Sequence, residues 1–141
     1  MAGSITVTTS QERAGVIKYS VAWTSDASGD VSGNSFDVSS GTIILVEFIP
    51  DSGGTQPTDL YDVTMTDAEG VNVLDDGTGS ASIGANLSNA AAAHRVPFIG
   101  GGGTVTYVRT WVHQGELTPV VANAGNAKGG TINVFQVPGV V

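Results

Sequence analysis

The chain has 141 residues, of which 40% are hydrophobic and only 13% are charged, and its formal net charge is −8. This length is enough for one domain with a buried core, and the hydrophobic content argues against intrinsic disorder. The five basic residues are scattered along the sequence, so we expect neither nucleic acid nor an anionic membrane surface as a partner.

Alternation of apolar and polar residues predicts a protein built from strands. The clearest example is 16–24, in which Tyr19, Val21 and Trp23 share one face. The run 41–50 is apolar on both faces, which predicts a central strand. The predicted strands are, in chain order, 4–9, 16–24, 31–38, 41–50, the two arms of a hairpin at 60–74, 104–113, 117–122 and 130–137. Turn-forming residues separate these strands, so we expect an all-β, single-domain β-sandwich or jelly-roll-like barrel of about nine or ten short antiparallel strands over 1–141.

One segment departs from this pattern. In 81–95, four consecutive alanines favour a helix, whereas Gly84 and the neighbouring Asn and Ser residues do not. We therefore expect 81–103 to be an irregular insertion that contains at most a short helix or an ordered loop.

The hairpin at 60–74 has an acidic tip that could hold a cation. Calcium binds roughly six to eight oxygen ligands, and Asp67, Glu69, Asp75 and Asp76 could contribute several of them. Their spacing does not match an EF-hand loop, and acidic residues beside glycine are also common in solvated turns, where they keep strands from pairing edge to edge. We expect solvated turns and no cofactor, with calcium as the alternative.

The motifs of catalysis and of metal binding are missing from the sequence. His94 and His113 are separated by 19 positions and have no helical pairing. The segment 29–33 is not a nucleophile elbow, and the run Gly100–Gly103 is not followed by the Lys-Ser/Thr of a P-loop. Cysteine is absent, which excludes a thiolate site. We therefore expect that the protein is not an enzyme.

Two pairs of aromatic residues allow two interpretations. Tyr19 with Trp23 and Tyr107 with Trp111 each lie four residues apart on one strand face. Such residues could form a platform on which sugar rings stack, as in a carbohydrate-binding module, but aromatic residues at this spacing more commonly belong to a core. We favour the core.

Three segments carry a resemblance to a known class of proteins. The stretch TDLYDVTMTDAEGVNVL at 58–74 and the stretch NAGNAKGGTINVF at 123–135 resemble small virion proteins of tailed bacteriophages. The segment 5–33 looks like the opening strands of those proteins, whereas the insertion at 81–103 departs from their pattern. The resemblance brings no catalytic residue with it.

The resemblance implies a structural virion protein, and within that class we expect a capsid decoration or cement protein. It would bind the major capsid protein as a homo-trimer, with a tail, neck or host-recognition role as the alternative. The amino-terminal segment lacks the apolar run of a signal peptide, so we expect synthesis in the host bacterial cytoplasm followed by assembly into the virion. The residues expected to reach a neighbour are those of the first strand and the apolar tail, namely Ile5, Val7, Val137, Val140 and Val141.

Overall fold

The computed structural model describes residues 3–74, 83–95, 98–99, 108–109, 111–112 and 115–138. The strands are β1 Ser4–Gln11, β2 Ile17–Thr24, β3 Phe36–Val38, β4 Gly41–Pro50, β5 Asp62–Thr66, β6 Ala93–Arg95, β7 Phe98–Ile99, β8 Val108–Arg109, β9 Trp111–Val112, β10 Gly115–Ala122 and β11 Gly129–Pro138. Helical structure in these ranges is limited to two 3₁₀ turns, Arg13–Gly15 and Gly53–Thr55. The predicted all-β class is confirmed, but the strands are uneven: six have five to ten residues and five have two or three.

Two antiparallel sheets form the body of the protein. In the large sheet the strand order is β1-β2-β11-β4, and both β6 and β9 pair with the outer edge of β4. In the small sheet β10 lies between β3 and β5. The pair β7–β8 forms a separate ribbon of two residues on each side. β4 is thus a central strand, as its apolar sequence predicted.

The core is made by the inward faces of both sheets. Tyr19 and Trp23 of β2 are 4% and 3% exposed. The Tyr19 ring lies 5.8 Å from that of Phe36 on β3, and the Trp23 ring lies 5.7 Å from that of Tyr61, just before β5. These tilted aromatic pairs join β2 to β3 and to the residue that precedes β5. The alternating pattern of 16–24 therefore reflects one buried face of β2.

A closed set of hydrogen bonds also joins the large sheet to the connection between β3 and β4. The hydroxyl of Tyr19 donates to Oε1 of Gln136 on β11 at 3.4 Å, and it accepts the N–H of Ser39 at 3.1 Å. Nε2 of Gln136 donates to the Ser39 carbonyl at 2.8 Å. Gln136 is only 1% exposed. Its amide can be buried because both of its polar atoms have partners.

The insertion follows one of the two expected courses. Within 83–92 the chain forms turns and a single bridge between Leu87 and Tyr61, and it contains no helix there. The alanine run then enters β6, where Ala93 pairs with Phe48. The short helix is therefore not formed in the described part of the insertion, because these residues are used to cover the edges of β5 and β4.

The returning arm of the hairpin differs from the predicted strand. Only Asn72 bridges to Thr66, and its side-chain Oδ1 accepts the backbone N–H groups of Met65 and Leu74, each at 3.1 Å. The N–H of Val73 donates to the carbonyl of Met65 at 2.7 Å. The Asn72 side chain thus replaces part of the backbone hydrogen bonding expected between the two arms of the hairpin. The alternation of the sequence does not predict such a side-chain bond.

Candidate interaction surface

The two predicted contact residues of the first strand, Ile5 and Val7, have half-buried side chains packed against the core. These two side chains are therefore partly covered by the core, and at these positions β1 offers a partner mainly its backbone. β1 is the end strand of the large sheet and pairs with β2 over all eight of its residues, from Ser4 opposite Thr24 to Gln11 opposite Ile17.

The hydrogen bonds at the two ends of β2 show which backbone groups of β1 point outwards. At one end, the N–H of Glu12 donates to the carbonyl of Val16 at 2.7 Å. At the other end, the N–H of Ser25 donates at 2.8 Å to the carbonyl of Lys128, which directly precedes β11. Because successive residues of a strand bond to opposite sides, the even-numbered residues of β1 face β2. The groups that point away from the sheet therefore belong to Ile5, Val7, Thr9 and Gln11.

The third described contact candidate, Val137, lies on the face of the large sheet that points away from the core. We call this surface the outer face. It is formed by Thr6, Thr8 and Ser10 of β1, Lys18, Ser20 and Ala22 of β2, Thr131, Asn133, Phe135 and Val137 of β11, and Leu45, Glu47 and Ile49 of β4. Val137 and Ile49 are 41% and 36% exposed there. Val140 and Val141, the other two candidates, lie outside the described residues.

The outer face carries little charge. Its charged residues are Lys18 and Glu47, and the Lys18 ammonium lies 5.8 Å from the centroid of the Phe135 ring. Asn133 lies between Ser20 and Glu47 in the register and is 5% exposed, and its Oδ1 accepts no hydrogen bond in the described part of the chain. The outer face is thus a mainly uncharged surface with small polar residues on one side and larger apolar residues on the other.

The acidic tip is organised by Asp67. Its Oδ1 accepts the N–H groups of Glu69 and Val71, each at 2.9 Å, and its backbone N–H donates to the carbonyl of Val71 at 2.9 Å. In the ranges that the structure describes, no three His, Cys, Asp or Glu residues are grouped closely enough to hold a metal ion. Asp75 and Asp76 lie outside those ranges, so the full set of calcium candidates stays a prediction.

Replacing Asp67 with alanine tests the two interpretations of this tip. We expect the free energy of unfolding to fall by about 1 kcal/mol, because two backbone N–H groups lose their acceptor. Asp67→Asn is the matched control and should retain most of the stability, since an amide oxygen can accept the same bonds. Thermal unfolding with calcium and with EDTA is the measurement. A calcium-dependent rise in Tm that Asp67→Ala removes would identify a cation site instead of a turn.

Of the aromatic and histidine candidates, Tyr19, Trp23, His94 and Trp111 lie within the described residues. Tyr19 and Trp23 are core residues, so they are not available for stacking on a sugar. The backbone of Trp111 pairs with Thr42 and that of His94 pairs with Glu47. Tyr107, His113 and the run Gly100–Gly103 lie outside the described residues.

Among the described residues, Tyr61 and Asp26 have perturbed pKa values, and both shifts have structural causes. Burial raises the pKa of Tyr61 to about 12. The pKa of Asp26 is lowered, chiefly because its carboxylate accepts the N–H of Asp30 at 3.1 Å, and the N–H of Ser28 at 2.8 Å adds to the effect. Asp26 thereby closes the turn after β2.

A shallow depression of about 520 Å³ lies beside this turn. Its lining residues are Gly3, Ser4, Thr24, Ser25, Asp26, Ala27, Asn126 and Ala127. Asp26 is the one ionisable side chain in this lining, and its carboxylate already accepts two backbone N–H groups. The other polar side chains of this lining are the uncharged ones of Ser4, Thr24, Ser25 and Asn126, so the lining has no free charged group that could fix a ligand.

Comparison of the chain with models of protein families, with curated proteins and with solved structures gave no match. In the described part of the chain, neither 3₁₀ turn has the length or the hydrophobicity to cross a membrane. The described features that could contact another protein are the outer face and the open edge of β1.

Proposed function

We propose that the protein is a structural virion protein of a tailed bacteriophage, a capsid decoration or cement protein that binds the major capsid protein. The observation that supports this role best is the outer face. It presents Glu47 as its one acidic residue among the described strands, although thirteen acidic residues give the chain its net charge of −8. The centres of protein interfaces are depleted in charged residues in the same way.

A cement role suits a surface of this kind. A capsid resists the outward pressure of its packed genome, and a small protein that bridges several subunits adds buried area at each contact. Repeated weak contacts give a durable attachment when one assembly makes several of them at once. A homo-trimer at threefold positions would present the outer face three times, which is the usual use of closed symmetry.

The proposal is tested by binding to particles that lack the protein. The native protein should cosediment with them and raise the temperature at which they release DNA. Val137→Lys places a charge on the outer face and should weaken binding about tenfold or more, equivalent to at least ~1.4 kcal/mol. Val71→Lys is the matched control, because Val71 is 59% exposed but lies in the acidic tip.

Two results would count against the proposal. One is equal weakening by Val137→Lys and Val71→Lys, which would mean that the outer face is not the contact. The other is the absence of the protein from the heads of purified particles. Antibody labelling on the tail, neck or fibres would instead support the alternative virion roles.

A further inference from the structure

The edge strands of the two sheets differ in how well they are protected from pairing with another chain. The outer edge of β4 is covered by β6 and β9. The outer edge of β5 is covered as well, since the N–H of Val63 donates to the carbonyl of Gly84 at 2.7 Å and Asn72 bridges to Thr66. β3 has only three residues, and its central Asp37 is exposed. Short or charged edges resist pairing with another chain. β1 has neither kind of protection.

β1 is a long and regular edge. It pairs with β2 without any shift of register over Ser4–Gln11, and this segment contains no charged residue and no proline. The residues that point their N–H and carbonyl groups outwards are Ile5, Val7, Thr9 and Gln11, and none of them has a backbone partner on that side in the described part of the chain. Such a strand is a template for the addition of another strand.

We infer that β1 pairs with β1 of a second copy of this chain, antiparallel, about a twofold axis at Thr8. Nδ2 of Asn34 donates to the carbonyl of Gly3 at 3.2 Å and closes the edge at that end. The open groups therefore run from Ile5 to Gln11, and their midpoint is Thr8. Around that midpoint, Val7 lies opposite Thr9 of the second copy and Ile5 lies opposite Gln11. Every outward N–H then meets a carbonyl.

The side chains agree with this register. Thr8 meets Thr8 at the axis as a pair that shares no backbone bonds, and Thr6 meets Ser10, so hydroxyl groups face each other along the outer face. On the other side, the half-buried Ile5 and Val7 gain cover from the second copy. The net charge of −8 does not oppose the contact locally, because Ser4–Gln11 carries no charge. A second copy of the chain is favoured over an unrelated strand, because in this register the outward N–H and carbonyl groups of the two β1 strands satisfy one another.

The inference is independent of the proposed function. A twofold contact at β1 can coexist with a trimer, since two trimers related by twofold axes form a closed hexamer. In either case, breaking the contact should halve the mass of the soluble species.

The first test compares two variants that each add one lysine to the outer face. Thr8→Lys places two like charges directly opposite each other at the axis, which opposes pairing. Ala22→Lys is the matched control, because Ala22 is exposed on the neighbouring strand but away from the axis. In sedimentation equilibrium at the highest soluble concentration, Thr8→Lys should have half the mass of the native protein, and Ala22→Lys should have the native mass. Equal masses for all three would overturn the inference.

The second test fixes the register and uses the absence of cysteine from the chain. Under mild oxidation, Thr8→Cys should form a covalent dimer, because its two sulfurs meet at the axis. Thr6→Cys alone should not, since its two copies would be offset by about 13 Å along the strands. A mixture of Thr6→Cys and Ser10→Cys should cross-link. A native dimer whose Thr8→Cys variant stays uncross-linked would show that the copies meet elsewhere and would refute the pairing at β1.

Discussion

Replacing Trp23 with alanine is expected to lower the free energy of unfolding by about 3–5 kcal/mol. The indole is 3% exposed and its ring lies 5.7 Å from that of Tyr61. It also lies directly over Gly130, where an added Cβ would come within 2.9 Å of the indole Cζ2. Removing the ring would leave a cavity that β11 cannot fill, because glycine supplies no side chain at this position.

Urea denaturation of native and Trp23→Ala protein measures this effect. Val71→Ala is a suitable control, since Val71 is 59% exposed and its truncation should change stability by less than about 0.5 kcal/mol. Measuring glycan binding by the same Trp23→Ala protein, together with its stability, separates two functions. A carbohydrate-binding platform would lose glycan binding in Trp23→Ala while keeping its stability, and that outcome would contradict the core position described above.

Replacing Gly84 with alanine is expected to cost about 2–4 kcal/mol of unfolding free energy. An added Cβ would lie 2.1 Å from the carbonyl oxygen of Val63 and 3.3 Å from Cδ1 of Leu74. The backbone of Val63 cannot withdraw easily, because its N–H donates to the Gly84 carbonyl at 2.7 Å and it is paired with Val121 on its other side. The insertion would have to separate from β5.

Gly54→Ala is the matched control for this substitution. An added Cβ there would have no neighbour within 4 Å, and Gly54 is not among the glycines with positive φ. Its stability should stay within about 0.5 kcal/mol of the native value or rise slightly, since alanine restricts the unfolded chain. Equal losses in the two variants would mean that the approach of Gly84 to Val63 is not close in solution.

The sequence was most informative where one face of a strand is buried. Tyr19, Val21 and Trp23 gave a clear alternation because their neighbours in β2 face outwards. It was least informative at Asn72, where a side-chain oxygen satisfies two backbone N–H groups that a strand would otherwise pair. Propensity also misled at the alanine run, because Ala93 takes part in β6 through its pairing with Phe48 and not through any local preference.

The candidate surfaces could not be predicted from neighbouring residues alone, because the pairing of distant strands defines them. Asp67 could be assigned to a turn from its neighbours, and the structure gives it that role. That β1 is an end strand follows only from the order of strands in the sheet, and alternation within 4–9 says nothing about that order. The outer face is likewise assembled from strands that are distant in sequence, such as β2 and β11.

The position of β11 has a consequence for biosynthesis. This strand is the last of those described, yet it lies between β2 and β4 and forms the ladders on both sides of itself. A nascent chain that has emerged only as far as β10 would hold the hairpin of β1 and β2 apart from β4, with two long unpaired borders. The large sheet can therefore close only after β11 has been synthesised, and the large sequence separation within its ladders predicts slow folding. Until then, the unpaired borders of β2 and β4 can pair with those of another growing chain, which favours aggregation.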